Sequence, residues 1–282
     1  MKKFFCFTAI TIAWLALVLV PAIGQTQTLS GSCGDDLVVI DSFPAPWQGE
    51  DIIHGIAAEE ENLLYITRRD NPPTSNPDMI YKIDGSGVEI ASYELPEDVC
   101  PRGTITGLAM VKGDLWFTND RNWKICKLNL RGPSPTASDC FDINEVKRDA
   151  ECWDSTGLAF CAGHWFNAAF NWDTLDESCI FKIKVAEKDD ELMVKRVNTA
   201  LARGTGGPEG INCNSGSIWH VDVSYGGNDG NKIYRINPKI NVICEWDFTG
   251  ILDGFLGVTF DGTHYWVNNV TTLYKMQLVP AP

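Results

Sequence analysis

The chain has 282 residues, 44% of them apolar or aromatic, and carries 37 Asp and Glu against 23 Lys and Arg, for a formal charge of −14. An acidic surface of that size repels phosphate backbones and argues against nucleic acid as a partner. It leaves two roles open, solubility of an exported protein or attraction of cations and basic ligands.

In chain order, the first element is a leader. Lys2 and Lys3 precede an uncharged apolar run over residues 4–20, and Ala22-Ile23-Gly24 offers small residues for cleavage. The run is long enough to span a bilayer, but no basic stop-transfer cluster follows it. The reading is a signal peptide over residues 1–24 and a single domain over residues 25–282. That predicts a secreted or periplasmic protein with no membrane span after cleavage. Losing Lys2 and Lys3 takes the charge to −16.

Cys6 leaves with the leader, so nine of the ten cysteines remain. Export makes disulfides the expectation, and an odd number leaves at least one thiol free or pairing between chains. No Cys-x-x-Cys occurs, which weakens a redox or zinc reading.

Residues 36–43 then read as an isolated strand. After it, one formula recurs five times: aliphatic, aromatic (Cys once), basic, aliphatic. The copies are Ile80-Tyr81-Lys82-Ile83, Ile125-Cys126-Lys127-Leu128, Ile180-Phe181-Lys182-Ile183, Ile233-Tyr234-Arg235-Ile236 and Leu273-Tyr274-Lys275-Met276. Each trails a Gly followed by an aliphatic residue, at Gly55, Gly107, Gly157, Gly210 and Gly257, spaced 52, 50, 53 and 47 residues apart. Tyr65, Trp116, Trp165, Trp219 and Trp266 lie between glycine and formula. Their even spacing assigns them to packing between sheets, where aromatics bury the most area. The basic residue is expected to point outward while its aliphatic neighbours point inward.

The second module shows the expected strands at residues 106–110, 114–118, 125–130 and 140–143, with a glycine turn at Gly113. Cys126 and Cys140 fall on adjacent antiparallel strands and make the best disulfide pair. The last module has only three strands, at residues 257–260, 263–268 and 272–277. Residues 36–43 resemble the fourth strands at 89–95 and 242–248. The fold class is therefore all-β: a five-bladed β-propeller of four-stranded antiparallel blades, its ring closed by the mature N-terminal strand in the last blade. A solenoid or open stack of the same repeats is the alternative.

In such a ring the residues before the landmark glycines surround the axis: His54, Thr106, Thr156, Glu209 and Leu256. Glu209 is held rigidly within Pro208-Glu209-Gly210, and His54 is the other ionisable member. These two are the candidate catalytic residues. The loops after the second strands offer Arg68, Arg69, Asn119, Asp120, Trp172, Asp173, Asp222 and Asn268 as ligand-binding residues. Planar hydrogen-bonders beside indole suit a small polar ligand, a glycan or a peptide. Asn and Asp are equally turn formers. Glu209, Asp222, Asn119 and Asn268 are also hard oxygen donors, so calcium is a candidate cofactor. Motifs of serine hydrolases, zinc proteases and P-loops are absent.

Pro208-Glu209-Gly210-Ile211 with Ile218-Trp219-His220-Val221-Asp222 and Ile233-Tyr234-Arg235-Ile236 resembles one blade of the regucalcin/gluconolactonase-type propellers. The resemblance implies an axial Glu that shares a divalent metal with Asn and Asp of other blades. The other blades here carry no clear copy of that set. The five-blade count is similar to that of the plant- and bacterial-type glutaminyl cyclases, and this implies Glu209 as general acid/base in a Glu-Gly-aliphatic motif. Three functions stay open: a binding module, a propeller enzyme using Glu209, and a cell-surface assembly module linked through the odd cysteine.

Overall fold

The computed structural model describes residues 28–30, 33–47, 51–69, 78–100, 105–119, 123–132, 134–144, 152, 154–170, 178–188, 191–201, 207–223, 231–252 and 254–281. Thr28–Ser30 (β1) and Asp35–Pro44 (β2) come first. Sheet one is Ile52–Glu60 (β3), Leu63–Arg69 (β4), Met79–Asp84 (β5) and Glu89–Glu94 (β6). Sheet two is Ile105–Val111 (β7), Asp114–Asn119 (β8), Lys124–Asn129 (β9) and Thr136–Asp142 (β10). Sheet three is Asp154–Cys161 (β11), His164–Phe170 (β12), Ser178–Lys188 (β13) and Glu191–Leu201 (β14). Sheet four is Gly207–Asn214 (β15), Ser217–Val223 (β16), Lys232–Ile236 (β17) and Val242–Asp247 (β18). Gly257–Phe260 (β19), Tyr265–Asn268 (β20) and Thr272–Pro280 (β21) belong to sheet five, where β2 pairs with β21 and β1 lies outside β2. All strand neighbours run antiparallel, and the five sheets form a five-bladed β-propeller.

Strand β2 runs against β21 from Asp35 opposite Pro280 to Pro44 opposite Thr272. Strand β1 and the 11-residue strand β14 have no counterpart in the sequence reading, and β13, which carries the formula copy Ile180-Phe181-Lys182-Ile183, runs on to Lys188. The fourth strand of sheet two begins at Thr136, four residues before the expected start at Cys140, because a bulge between Ser138 and Phe141 extends the pairing.

The recurring formula is a packing device. Cross-strand register sets Tyr65 opposite Lys82, Trp116 opposite Lys127, Phe166 opposite Lys182, Trp219 opposite Arg235 and Trp266 opposite Lys275. The basic residues therefore do not point outward. They share a face with the second-strand ring, and Lys82, Lys182 and Lys275 lie over it at 5.3, 5.8 and 5.3 Å. Their alkyl stems cover the aromatic while the charge stays half-solvated. Two of them also tie neighbouring blades: Lys182 Nζ donates to the Pro238 carbonyl, and Lys275 Nζ to Asn62 Oδ1.

Sheet three breaks the pattern by one residue. There Phe166, not Trp165, occupies the aromatic position toward the next blade. Trp165 points back into sheet two, where it meets Trp116 at 4.9 Å and Phe141 at 5.7 Å. A one-residue shift reverses every side chain on a strand.

The landmark glycines lie where successive first strands meet around the axis. A Cβ on Gly107 would come within 2.7 Å of Leu158 N, and one on Gly210 within 2.7 Å of Val258 N. The same atom on Gly55 would run into the Thr106 carbonyl, on Gly157 into the Glu209 carbonyl, and on Gly257 into Ile56. Backbone thus packs on backbone around most of the ring. The axial void is about 10 Å³, room for roughly one water.

Four disulfides join Cys33–Cys244, Cys126–Cys140, Cys152–Cys179 and Cys161–Cys213. The Cys126–Cys140 pair is the one expected from the strand register. Such a set fits an oxidising compartment. No helix among the described residues is long and apolar enough to cross a membrane. Cys100 stands outside these bridges, 1% exposed, with its thiol 3.7 Å from Asp78 Oδ2. A thiol so buried is not presented at the surface of the folded chain. Cys33–Cys244 ties the start of β2 to sheet four across 211 residues of sequence. Replacing both by Ala is expected to cost about 3–5 kcal/mol and to lower the melting temperature by about 10 °C. A melting curve unchanged from the parent would show that β2 is held without the bridge.

Candidate functional site

Strands β3, β7, β11 and β15 share a defect at the same place. Their pairing with the second strand slips between Ile53 and Ile56, Ile105 and Leu108, Ser155 and Gly157, and Pro208 and Ile211. These β-bulges contain His54, Thr106, Thr156 and Glu209. A bulge turns a side chain out of the strand alternation, and here it turns the residue before each glycine toward the axis.

Polar groups on the second strands brace the bulges. Gly55 N donates to Thr67 Oγ1 at 2.8 Å, and Asn167 Nδ2 donates to the Gly157 carbonyl at 2.8 Å. Ser155 Oγ donates to Asn167 Oδ1 at 3.1 Å, and Thr106 Oγ1 to the Thr118 carbonyl at 3.3 Å. Asn268 Nδ2 donates to the Ile53 carbonyl at 2.9 Å, beside His54. All of these side chains are buried. Sequence reasoning missed Thr67, Ser155 and Asn167. For Thr67 and Asn167 the available signal was a polar residue two positions after the second-strand aromatic, inside an otherwise apolar run.

The structure brings His54 and Glu209 together although they come from sheets one and four. Nε2 and Oε2 are 3.7 Å apart, with the side chains 3% and 0% exposed. This would be an ion pair only if His54 were protonated. Burial first, then the Arg69 guanidinium, push the His54 pKa down to about 3, while the backbone of Thr106 opposes them. His54 is therefore a neutral imidazole at physiological pH, and its Nδ1 has no hydrogen-bond partner among the described residues. A group so acidic when protonated is a poor proton acceptor near neutrality, and it serves instead as a fixed polar contact.

The other candidates fall in different places. Arg69 acts on His54 through its charge. Arg68 is bound to Asp51 at 2.6 Å within sheet one. Asn119 closes β8 opposite Ile105 and is buried. Asp222 is buried opposite Pro208, next to the Glu209 bulge. It lies near buried His220 and half-buried Tyr234, whose rings stack at 4.8 Å. Burial pushes the His220 pKa down to about 4, and burial with the Asp222 charge pushes the Tyr234 phenol up. Asn268 pairs with Gly257 on β19, and its Oδ1 has no partner among the described residues. Asp120, Trp172 and Asp173 lie outside the described residues.

Calcium takes six to eight oxygen ligands. Among the described residues no three His, Cys, Asp or Glu side chains gather closely enough to hold a metal. Asp222 does not complete a set with Glu209 and His54.

Fold and site together define a five-bladed β-propeller with a buried polar group at one end of its axis. No protein-family model matches the chain, and no curated protein matches it. Among solved structures, glutaminyl cyclase of Myxococcus xanthus is similar with a TM-score of 0.50 at 13% identity, over 86% of this chain and 96% of that one. A PQQ-bound aldose sugar dehydrogenase from Streptomyces coelicolor gives 0.48 at 13% identity over 90% and 95%. A catalytically inactive virginiamycin B lyase of Staphylococcus aureus, solved with quinupristin, gives 0.42 at 13% over 85% and 99%. At such identities the likeness is one of fold.

Proposed function

We propose that the chain is an exported binding module that takes a small polar ligand, glycan or peptide at the axial end marked by Glu209 and His54. In this reading residues 1–24 are a cleaved leader, and residues 25–282 form one propeller domain, secreted or periplasmic. The four disulfides support export, and the acidic surface argues against nucleic acid.

The observation that carries the reading is the 3.7 Å approach of a buried carboxyl and a neutral imidazole from sheets one and four. His54 Nδ1 is buried with no hydrogen-bond partner among the described residues, and burying such an atom costs stability that a ligand's hydrogen bond would offset. A ligand N–H or O–H that reaches Glu209 would supply a hydrogen bond strengthened by the low local dielectric. His54, held neutral, would accept or donate a second one. The axial void of about 10 Å³ means that only the tip of a ligand enters.

The test is a thermal-shift screen of the parent over sugars and N-terminal-Gln peptides, repeated with Glu209→Gln. A ligand that binds the folded state raises the melting temperature by mass action. Losing a charge-assisted hydrogen bond is expected to weaken binding about tenfold to a hundredfold. Equal shifts in parent and variant would remove Glu209 from the site.

The second reading is catalysis with Glu209 as general acid/base. Its position at a bulge, within reach of a neutral imidazole, favours it. The structural neighbour from Myxococcus xanthus is a glutaminyl cyclase, which makes N-terminal Gln cyclisation the reaction to assay beside lactone hydrolysis. Turnover by the parent with a loss of at least about 100-fold in Glu209→Gln would establish the enzyme over the binder.

A further inference from the structure

A second cavity lies away from the Glu209–His54 pair. It opens between sheets one and two, beside the β7–β8 turn at Gly113, and has a volume of about 340 Å³. Small-molecule sites begin at roughly 300 Å³. Its floor is Tyr65, Leu115 and Leu128, which are 7%, 4% and 4% exposed, and Met110 forms a wall.

The other interfaces are filled in different ways. Between sheets two and three, Trp116, Phe141 and Trp165 pack together. Between sheets four and five, Trp219 meets Tyr265 at 4.3 Å. Between sheets three and four, Cys161–Cys213 crosses the gap. Tyr65 stacks on no other aromatic ring among the described residues; Lys82 lies over it at 5.3 Å, and Met110, Leu115 and Leu128 line the cavity beside it.

The rim is charged and uneven. Lys127 is matched by Asp114 at 2.8 Å, and Glu59 by Lys82. Arg131 also borders the cavity, is exposed, and its guanidinium forms no ion pair among the described residues. A mixed cavity in which Tyr65, Met110, Leu115, Leu128 and Leu130 meet one guanidinium without an ion pair can take a small ring bearing an anion.

We propose that the slot between sheets one and two binds a small aromatic carboxylate, with its ring on Tyr65 and its carboxylate on Arg131. The site is independent of the axial pair. Its occupant is a molecule of one ring and one carboxyl group, for which phenylacetate is the probe and phenethylamine the charge-reversed control.

The experiment is isothermal titration of the full mature chain, with amide shifts recorded by NMR. Phenylacetate is expected to bind saturably and to shift the amides of Tyr65, Met110 and Gly113. Phenethylamine is expected to bind at least about tenfold more weakly. Arg131→Ala, at an exposed position, is expected to weaken phenylacetate about tenfold or more, with Arg131→Lys recovering part of that loss. Met110→Phe fills the slot from the protein side and is expected to abolish binding. If it fails to fold, Leu130→Phe at the rim takes its place. Glu209→Gln is expected to bind phenylacetate as the parent does. Absence of saturable phenylacetate binding, equal binding of the amine, or unchanged binding by the slot-filled variant would overturn the proposal.

Discussion

Gly157→Ala is expected to cost at least about 3 kcal/mol and to leave little folded protein at 37 °C. The new Cβ would meet the Glu209 carbonyl and would lie 2.9 Å from Ile211 N. Both are backbone atoms of the next first strand, so no rotamer change relieves the clash. The strand would have to move, and with it the bulge that carries Glu209. Since the first strands pack on one another around the axis, that movement would spread to the neighbouring sheets. Gly163→Ala is the control. Gly163 lies in the β11–β12 turn with φ of 76° and open space where a Cβ would go. Its expected cost is only the left-handed penalty of about 1–2 kcal/mol. Denaturant midpoints for the two variants check the comparison. Equal losses would mean that the axis has slack and that the glycine ring is not a steric requirement.

The second large effect is acid lability at unusually mild pH. His54 and His220 hold folded-state pKa values of about 3 and about 4, against 6.5 when free. Above pH 6.5 both are neutral whether the chain is folded or not, so they contribute no pH dependence. Below 6.5 the unfolded chain takes up protons that the folded chain refuses. Stability therefore falls as pH falls, by about 1.4 kcal/mol per pH unit for each histidine. The fall ends for each group near its folded pKa. Over pH 6.5 to 4 the two together remove several kcal/mol, a large share of a typical total of about 5–15 kcal/mol.

A different set of groups acts below about pH 4. Asp84 is held low by Ser86, and Asp247 by Thr249. Burial alone would raise Asp261, but N–H groups of His264, Trp266, Thr263 and Asn62 bring it down. Stability from these three is present above their free value of 3.8 and is lost as pH drops through their folded values. Urea midpoints measured from pH 7 to 4.5 separate the stages, because the unfolded chain's histidines titrate in that window and these three aspartates do not. His220→Gln and His54→Gln should each flatten the slope by about 1.4 kcal/mol per pH unit. A parent whose midpoint stays constant across that window would refute the neutral buried histidines.

The period of glycines, rings and basic residues was legible because a repeated module must solve the same packing problem five times. Sequence alone therefore set the class of fold, the count of five, the role of residues 36–43 as an outer strand of the last sheet, and the Cys126–Cys140 bridge. It assigned Trp165 rightly to packing between sheets but did not show that this ring faces the preceding sheet, and it misassigned the direction of the basic side chains. Both follow from cross-strand register, which depends on where each hairpin slips, and no local pattern records a one-residue slip.

The site was half-legible. His54 and Glu209 were visible as the ionisable members of the pre-glycine set, because that set is defined by the repeat itself. Their 3.7 Å approach was not visible, since 155 residues and three sheet boundaries separate them and only the closing curvature of the ring makes them neighbours. Thr67, Ser155 and Asn167 acquire their roles from bulges that exist only in paired strands. The cavity beside Tyr65 likewise forms only where two sheets meet. Local periodicity thus fixed the modules, while distances between modules belong to the assembled ring, where small differences in twist decide which side chains meet.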